Sequence, residues 1–112
     1  MRILVVEDDA DLGESLVDLL RTLGYDALLA RNAPSALRLL STFEPDALII
    51  DILLPVFDGN LIAEEVARRI PTGRPRVVAM SSRPELARPE SFDAIFKKPF
   101  AVEDLLAAVD PR

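Results

Sequence analysis

Short apolar runs alternate with helical patterns along the whole chain, and this alternation constrains the fold more than any other feature. The segments between the runs repeat apolar residues at the three- and four-residue spacing of a helix, whereas the runs themselves are typical of buried strands. Five such runs span residues 3–6, 27–30, 47–50, 77–80 and 94–96. Strands that alternate with helices form right-handed crossovers, so the pattern predicts a parallel sheet covered by helices on both faces.

Residues that favour helix ends mark the boundaries of the helical segments. Gly24 stands where the first helix should end, and Asn32 is placed to cap the second. Either Asp58 or Asn60 caps the third, and the last helix is predicted over residues 102–109. These signals place one helix after each of the first three strands and one after the fifth.

The segment after the fourth strand differs from the others. Residues 82–93 carry two prolines and little periodicity, which predicts that the helix between the fourth and fifth strands is short or replaced by a loop. We therefore predict an α/β fold of the flavodoxin-like type, a doubly wound five-stranded parallel sheet in the order 2-1-3-4-5 with a short or degenerate fourth helix.

Length and composition restrict the class of protein. A chain of 112 residues suits a single domain, 1–112, with one sizeable core. The net charge of −6 argues against direct nucleic-acid binding. The chain has no cysteine and no histidine, so it lacks disulfides, thiol chemistry and a phosphohistidine of its own. No signal peptide and no run of membrane-spanning length is present, and we expect a cytoplasmic location without a membrane partner.

Charged and hydroxyl side chains follow the predicted strands at their carboxyl ends. Glu7 and Asp8 follow the first strand and Asp51 the third, while Ser81 follows the fourth and Lys98 the fifth. Each alone has an ordinary structural explanation, such as a helix cap, a turn or a solvated surface. Because the carboxyl ends of parallel strands share one edge, we expect these side chains to converge where the winding of the sheet reverses.

This combination of groups suits Mg²⁺-dependent phosphoryl transfer. Neighbouring carboxylates raise one another's pKa unless a cation intervenes, and oxygen ligands of this kind suit Mg²⁺. Asp8 would bind the metal, with Glu7 acting through water, and Asp51 would attack phosphorus as the nucleophile. Lys98 would pair with one phosphate oxygen and Ser81 would hydrogen-bond another.

Four motifs, ILVVEDD, LIIDILLPVFDG, VVAMSS and KKPF, occur in this order. They resemble the receiver domain of the response regulators of two-component signalling, and the resemblance covers essentially the whole chain. It implies that Asp51 is the phospho-acceptor and that Glu7 and Asp8 are the acidic pair. It also implies that the backbone carbonyl of Leu53 is a third protein ligand of Mg²⁺, beside Asp8 and Asp51.

The resemblance extends to the residues that respond to phosphorylation. Ser81 matches the hydroxyl switch position of the family and Lys98 its lysine, and the Lys98–Pro99 peptide bond is expected to be cis. The phosphoryl group would come from a histidine kinase or a histidine phosphotransfer protein. Phosphorylation would then change contacts with an output protein, and the module would catalyse only its own phosphorylation and slow dephosphorylation. The chain is either a stand-alone receiver or one excised from a longer regulator.

Two alternatives belong to other classes of function. The first is a pseudo-receiver, a binding module that is not phosphorylated. The second is a small phosphatase with an aspartyl nucleophile, a chemistry that usually requires a second acid two residues after the nucleophile, where this chain has Leu53. If the family geometry holds, we expect the Leu53 side chain to lie beside the path of an attacking water and to slow hydrolysis of the acyl phosphate.

Three departures from the family pattern limit what the resemblance carries over. The aromatic residue that pairs with the hydroxyl switch is replaced by Ile95, and the adjacent Phe96 is expected to face the other side of the sheet. The segment 82–93 is several residues shorter than usual, and Ser82 replaces a more usual alanine. The resemblance therefore does not imply that an aromatic side chain reorients on phosphorylation, nor that the receiver dimerises through the surface of its fourth helix.

Overall fold

The computed structural model describes residues 1–111 and contains a five-stranded parallel sheet in the order β2-β1-β3-β4-β5. The strands are β1 (Arg2–Val6), β2 (Asp26–Ala30), β3 (Ala47–Asp51), β4 (Arg76–Ser81) and β5 (Ala94–Lys97). The α-helices are α1 (Ala10–Thr22), α2 (Ala33–Thr42), α3 (Gly59–Arg69) and α4 (Val102–Val109). The predicted flavodoxin-like fold and strand order are confirmed.

The central strands β1 and β3 divide their side chains between two apolar clusters, one on each face of the sheet. Alternate residues of a strand point to opposite faces, so both faces of these strands are buried under helices. On one face Ile3 and Ile49 pack with residues of α1 and α4, and on the other Leu4 and Ile50 pack with residues of α2 and α3. Every residue of β3 is buried, including Asp51 at its end. The strand that carries this carboxylate is therefore fixed on both sides by the core.

Side-chain caps mark the starts of the first three helices, and at α1 Asp9 accepts a hydrogen bond from the backbone N–H of Leu12 at 3.2 Å. Asn32 accepts a hydrogen bond from the backbone N–H of Ser35 at 2.9 Å, which confirms the predicted cap of α2. Of the two candidates for α3, Asp58 is the cap, and it accepts from the backbone N–H of Asn60 at 2.9 Å. Gly24 adopts a φ of +95° just after α1, the left-handed conformation that favours glycine there. None of the described helices combines the length and apolar character needed to cross a membrane.

No α-helix lies between β4 and β5 in the described chain, as predicted. Two 3₁₀ turns, Pro84–Leu86 and Pro89–Ser91, replace it. Each begins at a proline, whose missing N–H and fixed φ suit the first position of a helical turn. Ala87, between the turns, is the one buried residue of the segment 82–93, and it packs against Ile52 and Ala79. Phe92 and Asp93, at the end of the segment, add apolar packing and hydrogen bonds to Val77 of β4.

Candidate functional site

Two acidic residues lie side by side at the carboxyl edge of the sheet. The register of β1 and β3 pairs Val6 with Ile50, so Glu7, which follows β1, and Asp51, which ends β3, lie at neighbouring positions. Both are buried, with 1% of Glu7 and 4% of Asp51 exposed. Asp8 is partly exposed, and carboxylate oxygens of Glu7, Asp8 and Asp51 lie within 4.8 Å of one another. Because buried carboxylates require a counter-charge, this arrangement calls for a cation.

Lys98 supplies part of that counter-charge. Its Nζ donates hydrogen bonds to Oε1 of Glu7 at 2.6 Å and to Oδ2 of Asp51 at 3.1 Å. Its backbone N–H donates to the carbonyl of Ser81 at 2.9 Å, which ties the loop after β5 to the end of β4. The Lys98–Pro99 peptide bond is cis, as predicted. One ammonium group thus bridges the two buried carboxylates.

Burial and mutual contact set the protonation of these groups. Burial, together with the Asp51 carboxylate beside it, raises the pKa of Glu7 to about 7, although Lys98 acts in the opposite sense. Burial alone would lower the pKa of Lys98, but its hydrogen bonds to Glu7 and Asp51 outweigh this, and the pKa is raised. Lys98 therefore remains charged at neutral pH, whereas Glu7 exchanges its proton near pH 7.

The loop after β3 orients the Asp51 carboxylate. Oδ1 of Asp51 accepts a hydrogen bond from the backbone N–H of Leu53 at 3.0 Å. Leu53 forms an isolated antiparallel bridge with Asp58, and the N–H of Gly59 donates to the carbonyl of Ile52 at 3.1 Å. Leu53 is 40% exposed, so this apolar residue reaches solvent close to the acid.

Ser81 lies at the same edge but makes a different contact. It is fully buried at the end of β4, one residue beyond Met80, which pairs with Asp51. Its Oγ accepts a hydrogen bond from the backbone N–H of Arg83 at 3.0 Å. The structure therefore brings Glu7, Asp8, Asp51 and Lys98 into one cluster, and the Ser81 hydroxyl at the same edge is bonded to the segment that follows it.

Ile95 and Phe96 lie on opposite faces of the sheet, as predicted. Phe96 packs against the cluster that α1 and α4 cover, whereas Ile95 packs against the small cluster that contains Ile52 and Ala87. A β-branched side chain has few accessible rotamers, and Ile95 is partly buried against these apolar neighbours. Ile95 is therefore a packing residue rather than a rotating group.

Two contacts at the site were not anticipated from the sequence. Arg31, the residue after β2, donates from its guanidinium to the carbonyl of Asp8 at 3.2 Å. Its place at the carboxyl end of a strand was a signal that could have identified it. Asn60 is only 2% exposed, and it hydrogen-bonds to residues 86 and 88 of the segment that replaces the fourth helix. Nothing in the sequence pattern links positions so far apart.

The donor atoms of the acidic cluster fit a divalent cation of the Mg²⁺ type. All of the side-chain donors are carboxylate oxygens, the ligands that Mg²⁺ prefers, and they lie close enough together to share one ion. The set lacks the imidazole and thiolate donors that favour zinc, since the chain has neither histidine nor cysteine.

Comparison with known proteins identifies the family. A family model described as the response regulator receiver domain matches residues 3–110. This chain belongs to the response-regulator receiver family. The receiver is 36% identical over 111 residues to the response regulator MprA of Mycobacterium avium and 34% identical over 113 residues to that of Mycobacterium leprae. These alignments cover 96% and 97% of the receiver but 48% and 49% of the relatives, so the chain spans about half their length.

Solved structures of receivers have the same fold. The response regulator TrrA of Thermotoga maritima, in complex with Mg²⁺-BeF, superposes with a TM-score of 0.83 at 25% identity, covering 98% of this chain and 96% of TrrA. A CheY-like receiver domain of Methylobacillus flagellatus superposes with a TM-score of 0.80 at 30% identity, covering 99% of this chain and 93% of its own. The chain is thus a receiver domain of the two-component type.

Proposed function

We propose that this receiver accepts a phosphoryl group on Asp51 from a phosphohistidine of a histidine kinase or a histidine phosphotransfer protein, in a Mg²⁺-dependent reaction. The observation that carries the proposal is the acidic cluster itself. Glu7, Asp8 and Asp51 offer oxygens within 4.8 Å of one another, and Lys98 bridges two of them. A structural role alone gives no reason to bury two carboxylates together at a sheet edge.

In the proposed reaction an Asp51 oxygen attacks phosphorus of the donor phosphohistidine. A P–O bond forms to Asp51 as the P–N bond breaks, and the bond's electron pair leaves with the imidazole nitrogen. The product is an acyl phosphate on Asp51 and a histidine free of the phosphoryl group. The Leu53 N–H, bonded to Oδ1, fixes the orientation of the nucleophile before the donor arrives.

The residues that would hold Mg²⁺ are Asp8 and Asp51 directly, the carbonyl of Leu53, and Glu7 through water. When bound, the ion would neutralise negative charge on the incoming phosphoryl group. Lys98 would move from its carboxylate partners to a phosphate oxygen, with its raised pKa keeping it charged. The Ser81 hydroxyl would donate to another phosphate oxygen from the end of β4.

The proposal extends to signalling output. Phosphorylation adds negative charge at one sheet edge, and the new contacts of Lys98 and Ser81 would bias the neighbouring loops toward a second arrangement. An output protein would then distinguish the two arrangements by direct contact. The identity of this protein depends on surfaces outside the acidic cluster.

The test is incubation with Mg²⁺ and a small phosphodonor such as phosphoramidate, followed by intact mass spectrometry. We expect a mass gain of one phosphoryl group, absent in Asp51→Asn and after removal of Mg²⁺ by a chelator. Asp18→Asn, which removes an exposed acid from α1, is the matched control and should be phosphorylated normally. No mass gain in the folded wild type would instead indicate a pseudo-receiver. Steady consumption of the donor without a phosphorylated species would indicate a phosphatase.

A further inference from the structure

Asn60 holds the segment that replaces the fourth helix. The Nδ2 group of Asn60 donates to the carbonyl of Leu86 at 2.9 Å, and Oδ1 accepts from the backbone N–H of Arg88 at 2.8 Å. Nδ2 also donates to Oδ1 of Asp58, the cap of α3, at 2.9 Å. A buried amide that uses both its donor and its acceptor in this way fixes the position of the backbone it binds. We call the contacts of Asn60 with Leu86 and Arg88 the Asn60 clamp.

The clamp replaces hydrogen bonds that a helix would have supplied. The segment has two prolines without N–H groups, and each 3₁₀ turn is only three residues long. The Arg88 side chain adds ion pairs with Glu64 and, at 3.9 Å, with Asp58, but these groups are largely exposed and contribute little. Phe92 and Asp93 fix the end that leads into β5, so the position of residues 84–88 depends chiefly on the clamp and on buried Ala87.

Both ends of the segment connect to the phosphorylation site. At one end the Arg83 N–H is bonded to the Ser81 hydroxyl. At the other end, Asn60 is bonded to Asp58, which pairs with Leu53, whose N–H in turn holds Asp51. A change at Asp51 or Ser81 can thus reach residues 82–88 through hydrogen bonds and the short backbone stretches that join them, including the bond from the Gly59 N–H to the Ile52 carbonyl.

We propose that Asn60 is the positioning residue through which this receiver couples the occupancy of Asp51 to the surface of residues 82–91, in place of an aromatic rotation. This inference rests on the proposed function. When Ser81 keeps its bond to the Arg83 N–H as it turns toward a phosphoryl oxygen, it draws Arg83 with it, and the clamp resists this movement by holding Leu86 and Arg88 on α3. The unphosphorylated arrangement is the clamped one, and phosphorylation shifts the segment against it.

Coupling of this kind is reciprocal, and reciprocity supplies the test. If phosphorylation works against the clamp, then loss of the clamp must raise the affinity of the site for a phosphoryl analogue. The factor of this increase equals the factor by which the bound analogue weakens the clamp. The probe is Mg²⁺ with beryllium fluoride, with affinity measured by ¹⁹F NMR and movement of the segment by hydrogen exchange. In the wild type we expect faster exchange of residues 82–87 when the probe is bound. Asn60→Ala should show fast exchange without the probe and about fivefold tighter probe binding.

Arg88 offers a matched pair of variants for the acceptor side of the clamp. Arg88 has a φ of −84° and Ala87 before it is extended, with a ψ of 137°, so a proline at position 88 fits the backbone. Arg88→Pro removes both the ion pairs and the backbone N–H that donates to Asn60. Arg88→Ala removes the ion pairs alone. We expect tighter probe binding in Arg88→Pro and binding within twofold of wild type in Arg88→Ala, with folding checked by circular dichroism.

Three results separate the inference from the proposed function. Wild-type binding of the probe without any change in exchange at residues 82–87 would overturn the inference and leave the proposed function intact. Faster exchange in Asn60→Ala with unchanged probe affinity would make Asn60 a purely structural residue and would also overturn it. A wild type that gives no bound-fluoride signal, or a signal that Asp51→Asn retains, would reject the proposed function and the coupling with it.

Discussion

Gly59 allows α3 to approach the strand that carries Asp51, and its replacement by alanine gives a sharp test of how the site is positioned. A Cβ at this position would lie 2.4 Å from the backbone oxygen of Asp51, 2.8 Å from Cα of Ile52 and 3.0 Å from Cγ2 of Ile50. Two of these three atoms belong to the backbone of the loop that begins at the acid. They cannot rotate away, so either the start of α3 or the end of β3 must move.

The size of the movement follows from the closest contact. Bringing 2.4 Å to an ordinary separation requires a shift of about 1 Å. Overpacking of this kind destabilises a domain by about 1–3 kcal/mol, and a loss of 2 kcal/mol lowers the Tm of a domain of this size by roughly 8 °C. Because a misplacement of about 1 Å at a reacting group can lower a rate by on the order of 100-fold, we expect phosphorylation of Asp51 to slow by at least about tenfold.

Gly13→Ala is the matched control, because the same substitution there meets only a side chain. The new Cβ would lie 2.6 Å from Cδ1 of Leu29, the flexible end of a partly exposed residue. Leu29 can change rotamer, and the gain in helix propensity of about 1 kcal/mol offsets part of the strain. Urea denaturation and Mg²⁺-dependent phosphorylation followed by mass spectrometry should show a large loss for Gly59→Ala and normal phosphorylation for Gly13→Ala. Equal stability of the two variants, or unimpaired phosphorylation of Gly59→Ala, would refute the steric reasoning.

Three further predictions concern the acid cluster and its neighbour. Leu53→Asn should speed release of phosphate from phosphorylated Asp51, because it replaces an apolar side chain beside the acid; an unchanged or slower rate contradicts the expected shielding. Mg²⁺ affinity, measured by calorimetry, should fall as the pH is lowered through about 7, because Glu7 takes up a proton there and protons compete with the metal. Glu7→Gln should flatten this dependence, and a profile that keeps its slope in the variant assigns the titration elsewhere. Lys98→Met removes the group that lowers the pKa of Glu7, so a ¹³C NMR titration should place that pKa above the wild-type value, and a lower value would contradict the assignment.

The sequence was sufficient to predict the fold because its local signals agree with one another. Continuous apolar runs identified β1 and β3, and the caps of the first three helices stand at chemically typical positions. The order of the strands followed from the right-handed crossover rule and the doubly wound pattern. Convergence of Glu7, Asp51 and Lys98 was predictable for the same reason, since the carboxyl ends of parallel strands meet at one edge.

The features that the sequence did not predict depend on contacts between residues that are far apart in the sequence. Asn60 was recognised only as a candidate cap, yet its amide bonds to residues 26 and 28 positions away. The two prolines correctly indicated that a helix was missing, but no periodic pattern describes the irregular segment that replaces it. The short distance between the Gly59 backbone and Asp51 likewise depends on how α3 packs against β3. The motif LIIDILLPVFDG contains this glycine, but the sequence alone does not show which atoms it approaches.

The balance of charges at the site explains how its acids can be buried. Glu7, Asp8 and Asp51, when ionised, carry three negative charges against the single positive charge of Lys98, so the cluster lacks two positive charges, which one divalent cation supplies. The protein itself offsets part of this charge in two ways: Lys98 bridges Glu7 and Asp51, and burial beside Asp51 raises the pKa of Glu7 to about 7. Under the proposed function both adjustments would be reversible at neutral pH, because a metal ion competes with a proton for the carboxylates and Lys98 would turn to a phosphoryl oxygen. Under the proposed function, the features that stabilise the unphosphorylated site are the ones that phosphorylation would displace, which would make the site responsive rather than merely stable.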